Sequence, residues 1–338
     1  MRTNWNFTEV WNQSLLEHEE WTYEPRDYLW ASELGKSPID LYMRLHGTDP
    51  SNPPNPRSLR KFEAGNVFEW IIGLILKRSG ILVDGQKRTK WRPRPDLLEV
   101  SGKCDFIAGG KPDFAKAMKE MEELDMPHVF VKATEKIKEF FDREYPEGLG
   151  EKPLEIKSVS SFMYESIDRL KKGSRIHRLQ CFHYVKSLGY TEGSLIYICR
   201  DDMRMLEIPI YNNKEMNDEY EAFIEEVTLA YKAGTPPPLE KPIIFDEDFC
   251  KFSANFNVGY SGYLTLLYGL KNQGEFDDMY RPKVAKWNRV LGRLKRGDTI
   301  TKKNLEVIIE IEESGFNVAE ISKKFSSIPD PEEEDVTS

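Results

Sequence analysis

The sequence predicts an α/β fold built on a mixed set of strands, and three observations lead there. Helical stretches alternate with short strand-like runs from about residue 58 to residue 232. Proline-bearing breaks punctuate them, at Asp49–Pro56, Pro146–Pro153 and Thr235–Pro238. The chain has 338 residues with 39% hydrophobic content, long enough for one large domain or a core with an appendage.

Residues 1–30, rich in tryptophan and acids, receive no element assignment. The loop Asp49–Pro56 holds four prolines, and a helix is predicted after it over Ser58–Ser79, closed near Gly80. Strands are expected at Ile81–Thr89, Leu97–Ser101 and Cys104–Ala108. Residues 112–145 read as helical and strongly charged, which makes 109–152 an insertion ahead of the strand at Leu154–Ser158. A helix over Ser174–Leu188 follows. Then come strands Ser194–Arg200 and Met203–Ile210, joined as a hairpin at Asp201-Asp202, and a long helix Lys214–Lys232. The implied organisation is a core over 1–245, a mostly helical extension over 246–325 and an acidic, disordered tail over 326–338 carrying Asp330, Glu332, Glu333, Glu334 and Asp335.

Composition narrows the function classes. No apolar run is long enough to span a bilayer, and the N-terminus lacks the apolar stretch of a secretory signal. Cys104, Cys181, Cys199 and Cys250 lie far apart with no CxxC pair, so neither zinc nor an iron–sulfur cluster is signalled, and a reduced, cytoplasmic setting is expected. The net charge of −9 speaks mildly against a protein that coats nucleic acid, but basic clusters exist. They are Arg88, Lys90, Arg92 and Arg94; Lys171, Lys172, Arg175 and Arg178; and Lys286, Arg289, Arg293 and Arg296. The last set recurs on one helical face, with Val284, Trp287, Leu291 and Leu294 opposite; it reads either as a grip on a DNA backbone or as a solvated face of a packed helix. Gly80–Lys87 superficially has the look of a phosphate loop, but Gln86 stands at the lysine position and Lys87 at the Ser/Thr position, so the chemistry fails.

The chemistry-bearing residues centre on Leu154-Glu155-Ile156-Lys157-Ser158. Side chains alternate on a strand, so Glu155 and Lys157 share one side and Leu154 and Ile156 the other. Burying charge is costly unless it is paired or ligates a metal. Asp105 is a second acid, in the short apolar strand Cys104–Ala108. Asp113 is a rival, but it starts a helix, where an acid is favoured anyway. Two acids able to share a cation, with a lysine beside them, have the parts of a phosphodiester-cutting centre; a solvated ion pair on an edge strand is the other reading of Glu155 and Lys157. Glu69 shares a helical face with Gly65, Ile72, Gly73 and Leu76, so it either approaches a metal or forms a structural ion pair. Gln180 and Tyr184 project together from the helix Ser174–Leu188, near Arg178, and suit contacts to phosphates and bases or an ordinary amphipathic helix with Tyr184 half-buried.

In this order the set resembles the PD-(D/E)XK nuclease superfamily, and within it the RecB-like exonuclease branch. The matching residues are Gly65-xxx-Glu69, Gly102-xx-Asp105, Glu155-x-Lys157 and Gln180-xxx-Tyr184, with Ser32-Glu33-Leu34, Ser37-Pro38 and Tyr42 similar to the branch's entry motif. Many members carry histidine at the position of Glu69; phage members with glutamate there are similar to this chain. The resemblance covers about residues 30–210 and implies a restriction-endonuclease-like core: a mixed central sheet flanked by helices. It further implies a metal-dependent DNA nuclease, an exonuclease of phage or bacterial DNA replication, recombination or repair. Mg²⁺ or Mn²⁺ would be held by Glu69, Asp105, Glu155 and the Ile156 backbone carbonyl. Lys157 would orient the attacking water, and Gln180, Tyr184, Arg178 and Ser158 would contact DNA. Partners would be DNA and a helicase or recombination protein, with no membrane. Iron–sulfur members carry cysteines where this chain has Ser37 and, near the C-terminus, only Cys250, so no cluster is expected and Phe252, Phe256, Tyr260 and Tyr263 would pack that region. A catalytically idle DNA-binding or scaffold subunit is the rival, against which the retained Asp105, Glu155 and Lys157 speak. Exonuclease and structure-specific endonuclease stay open, as does the oligomeric state.

Overall fold

The computed structural model describes residues 6–16, 22–124, 128–247 and 249–324. The acidic tail expected over 326–338 lies outside them. The chain forms two compact units, Met1–Pro237 and Pro238–Ser338. The division falls ahead of the expected boundary at 245/246 because the strand Ile243–Asp246 pairs with Lys251–Ala254 inside the second unit.

The first unit is a mixed α/β structure around a six-stranded sheet. In chain order it holds α1 (Phe7–Leu16), β1 (Tyr28–Trp30), a 3-10 turn (Ala31–Glu33), α2 (Pro38–Leu45), α3 (Pro56–Arg78), β2 (Leu82–Trp91), β3 (Glu99–Gly110), α4 (Phe114–Glu123) and α5 (His128–Glu144). There follow β4 (Leu149–Val159), α6 (Ser161–Leu170), α7 (Arg175–Leu188), β5 (Glu192–Cys199), β6 (Met205–Tyr211) and α8 (Lys214–Ala233). The spatial order is β1-β3-β4-β5-β6, with β2 along the other edge of β3. β1 runs parallel to β3 and β4 parallel to β5; the remaining pairs are antiparallel.

Local sequence explains the helix ends. Asn55 caps α3 by accepting the Ser58 N–H at 3.0 Å, and Pro56 supplies a fixed φ at the first turn. Asp113, the rival acid, caps α4 by accepting the Lys116 N–H at 2.9 Å, so its role is the structural one. Two strand readings change. The strands expected at Leu97–Ser101 and Cys104–Ala108 merge into the single strand Glu99–Gly110, which starts two residues later than expected and runs through Gly102. The helix α6, which received no prediction, is capped by Ser160.

Helices cover both faces of the sheet. On one, Ile72 and Leu76 of α3 pack on Phe106, Ala108, Leu154, Ile156 and Ile198. On the other, Leu179, Cys181, Phe182 and Tyr184 of α7 meet Val100, Leu195, Tyr197 and Cys199, with Tyr220, Phe223 and Ile224 of α8 in the same core. Helix α7 is buried nearly all round from Leu179 to Val185. His183, wholly buried, bridges Thr89 Oγ1 at 3.0 Å and Tyr220 Oη at 2.9 Å, and burial pushes its pKa down to about 3, so it stays neutral.

The second unit pairs β7 (Ile243–Asp246) with β8 (Lys251–Ala254) and adds α9 (Phe256–Gly259), α10 (Leu264–Tyr268), α11 (Gln273–Lys295), α12 (Lys302–Glu313) and α13 (Val318–Lys324). Its core is Phe252, Trp287, Val290, Leu291, Val307 and Ile311. Asn288 ties hairpin to helix by accepting the Phe252 N–H and donating to the Phe252 carbonyl, both at 2.8 Å. Of the four expected aromatic fillers, Phe252 and Tyr263 are buried, but Phe256 and Tyr260 are exposed and stack on each other at 4.3 Å. Lys286 of α11 pairs with Glu310 at 2.8 Å, and Arg296, which closes the helix, pairs with Asp298 at 2.8 Å, so half of the expected basic face is engaged within its own unit. Among the described residues, no helix is long and apolar enough to cross a membrane.

Candidate active site

The site arises where the sheet comes apart. β2 occupies one edge of β3. On the opposite edge β1 pairs only with Glu99–Ser101, and β4 only from Phe106 onward. Among the described residues, that edge has no strand partner between Ser101 and Phe106, and beyond Leu154 strand β4 pairs with β5 alone. Such divergence leaves backbone groups to be satisfied otherwise. Asp105 fills the notch: its Oδ2 accepts the Ile156 N–H at 2.8 Å. The hydrogen bond fixes the second acid against the Glu155–Lys157 segment across the fork.

Glu155 is 1% exposed, and one of its oxygens accepts a hydrogen bond from the Lys157 ammonium. The other oxygen, Oε2, is buried without a hydrogen-bond partner among the described residues. Burial first, and Asp105 next, raise the Glu155 carboxyl well above the ordinary carboxylate range despite Lys157. Asp105 is raised as well, by burial, against the pull of Lys157, the Ile156 N–H and Lys103. Burial alone would lower Lys157; Glu155 and Asp105 outweigh it and hold the ammonium above its usual range.

Glu69 approaches from α3. Gln86 Nε2 donates to its Oε1, and burial followed by the charge of Asp105 pushes its pKa up to about 7. Gly65, one turn earlier, faces Ser158: a Cβ there would stand 4.0 Å from the Ser158 hydroxyl. Gly102 has a stricter role. A Cβ would sit 2.7 Å from Ala31 Cβ and 2.9 Å from a Tyr184 ring carbon, so only glycine lets α7 close over β3. Gln180 Nε2 donates to Tyr184 Oη at 3.3 Å. Both are buried, which makes them walls of the site and not exposed arms; Tyr184 is more buried than expected.

Arg178 is not brought into this cluster. Its guanidinium lies 3.4 Å from Met216 Sδ and 3.5 Å from Glu219 Oε2. Arg175, from the same basic run, also pairs with Glu219, at 2.8 Å. Other residues not singled out by the sequence do join it. Lys103 pulls on both Asp105 and Glu69; strand alternation places it on the side of Asp105, a signal that was present. His177, whose Nδ1 is 2.9 Å from Tyr197 Oη, is pushed down to about 3 by burial and then by Lys157, and is neutral beside that ammonium. Lys36 is lowered to about 8, chiefly by burial. Gln86 reaches Glu69 from a left-handed backbone position, φ 55°, which no sequence pattern announces.

The donor set suits a hard divalent cation. Its side-chain donors are carboxylate oxygens, Asp105 raises the pKa of both Glu155 and Glu69, and among the described residues the buried Glu155 Oε2 has no hydrogen-bond partner. Among the described residues no group of three His, Cys, Asp or Glu side chains is assembled to hold a metal. A cation here would therefore rest on Asp105 and Glu155 and keep several waters, as Mg²⁺ tends to do.

Glu69 gives a pH test in metal-free buffer. Its folded pKa of about 7 exceeds the ordinary 4.5, so its contribution to stability is full below pH 4.5 and is lost as pH rises through 7. Glu69→Gln removes that loss and retains an acceptor for Gln86. The variant's melting temperature relative to wild type should therefore rise between pH 5 and pH 8 in EDTA; a constant difference would refute the shifted carboxyl.

No family model matches the chain and no curated protein does. Among solved structures it is similar to SSO0001, at 14% identity and a TM-score of 0.38 over 67% of this chain and 87% of that one. It is also similar to an alkaline exonuclease from Laribacter hongkongensis, at 14% identity and a TM-score of 0.35 over 67% of this chain and 95% of that one. Likenesses this distant leave the site to be read from its own geometry.

Proposed function

We propose that the chain is a metal-dependent deoxyribonuclease of the PD-(D/E)XK type, an exonuclease acting in phage or bacterial DNA processing in the cytoplasm. The observation that carries the reading is the buried, partnerless Glu155 Oε2 beside Asp105, with Lys157 bonded to the other oxygen of Glu155. A buried acid left half-unsatisfied next to a second acid is costly, and a bound cation would remove that cost.

Asp105 and Glu155 would hold Mg²⁺ or Mn²⁺, joined by the Ile156 carbonyl and, directly or through water, by Glu69. When bound, the ion supplies Lewis acidity and a more acidic water. Lys157, charged and anchored by Glu155, would orient that water and offset charge growing on the phosphate. Neutral His177 adds no competing charge beside it. Tyr184 and Gln180 would wall the strand's path, with Ser158 opposite Gly65 at its margin. Arg178, held by Glu219, would act on DNA only after leaving that partner.

End-labelled linear single- and double-stranded DNA, beside a closed circle, tests the reading with Mg²⁺, Mn²⁺ or EDTA. Metal-dependent loss of the linear species with intact circles is expected. Cutting of circles would make it an endonuclease, and no cleavage in any lane would favour a binding subunit.

A further inference from the structure

Resting on the nuclease reading, we propose that a single DNA strand lies in the groove beside the acid cluster, with a base stacked on Trp30 and its phosphates on Arg88 and Lys103. A cavity of about 870 Å³ opens there between β1, β2, β3 and α7. Tyr184 and Gln180 line it, so it adjoins the fork that holds Asp105.

Its walls combine aromatic rings with cationic side chains. Trp30 is 43% exposed on the short strand β1. Its backbone is held in place: the Trp30 main-chain N–H donates to Glu33 Oε2 at 3.0 Å, and Glu33 is itself clasped by Arg26 at 2.6 Å. The Arg26 guanidinium lies 5.5 Å from the Tyr28 ring and 5.9 Å from the Trp30 ring, and the two rings meet edge to face at 5.0 Å. An exposed indole braced by a neighbouring ring and a guanidinium on an anchored backbone is a stacking platform. Arg88 and Lys103 are exposed, line the same cavity and make no ion pair among the described residues. Lys90 is partly offset by Glu99 at 3.6 Å, so the first two carry the positive field.

This combination selects a single strand. Duplex DNA shows proteins only base edges, whereas a ring platform needs an unstacked base face. Stacking is tolerant of sequence, so the groove would accept any base.

The test is binding in EDTA, read by fluorescence anisotropy. The probes are an oligothymidylate of about 12 nucleotides, an abasic oligomer of equal length, and a duplex. Wild type should prefer the base-bearing strand about 5- to 150-fold over the abasic one. Trp30→Ala should abolish that preference and Trp30→Phe should keep most of it, with thermal melts confirming that both variants fold. Arg88→Glu and Lys103→Glu should weaken both single-stranded probes alike and flatten the salt dependence. Equal affinity of wild type for the base-bearing and abasic oligomers, an unchanged preference in folded Trp30→Ala, or tighter binding of the duplex overturns the proposal. Cleavage with Mg²⁺ separates this from the nuclease reading. A wild type that cuts DNA without any Trp30 dependence discards the groove alone; Trp30-dependent binding with no cleavage keeps the groove and discards the nuclease.

Discussion

Asp105→Asn should lower metal-dependent DNA cleavage by on the order of 10³-fold or more while leaving the chain folded. The reason lies in the two jobs of one carboxylate. Oδ2 accepts the Ile156 N–H where β3 and β4 part, and the charge completes the acidic pair with Glu155. Asparagine retains an acceptor for the N–H but loses the charge. Alanine loses both, and the orphaned amide should cost a further 1–3 kcal/mol or so of stability. Comparing the two variants by denaturant unfolding and by single-turnover cleavage therefore separates structure from chemistry. Full activity in Asp105→Asn would sink the assignment of the site.

Lys157→Ala should lose activity for a different reason, and its stability deficit should depend on pH. The rate loss should be about 10²- to 10³-fold, the usual worth of a group that stabilises developing charge. Glu155, 1% exposed, would lose the ammonium bonded to one of its oxygens. Breaking a buried ion pair by removing one partner costs about 3–5 kcal/mol when the survivor stays charged. Glu155 has a raised carboxyl, so at pH 5 it escapes by taking a proton, and at pH 8 it escapes less. Unfolding measured at the two values should show the larger deficit at pH 8. The pair Glu155→Leu with Lys157→Met should recover stability without recovering activity. A deficit equal at both pH values would mean that Glu155 is not the group left stranded.

What the sequence made legible is local. Glu155 and Lys157 were readable because strand alternation puts them on one side of an apolar run. Gln180 and Tyr184 were readable because four residues make about one helical turn. The extents of α3 and α8 followed from caps and breaks in the chain. The rest depends on partners distant in sequence. β1 has only three residues, too few for alternation to show, yet it carries Trp30. Gln86 reaches Glu69 through a positive φ that glutamine seldom adopts. Arg178 looked available for DNA because Glu219, which holds it, lies on a helix whose position only the folded core reveals. Gly102 was legible as part of the strand motif, but not the reason for it: its missing side chain leaves room for Ala31 and Tyr184.

The ladder between β3 and β4 has one more consequence. Gly110 stands opposite Leu149, so the helical excursion between them departs from and returns to adjacent points of the sheet. Its length is then nearly decoupled from the spacing of Asp105 and Glu155, since closing a longer loop adds only about 0.6 kcal/mol per doubling. That makes the excursion the natural place to splice in a reporter or a targeting module: a graft there changes what the chain is tethered to without moving Asp105 and Glu155.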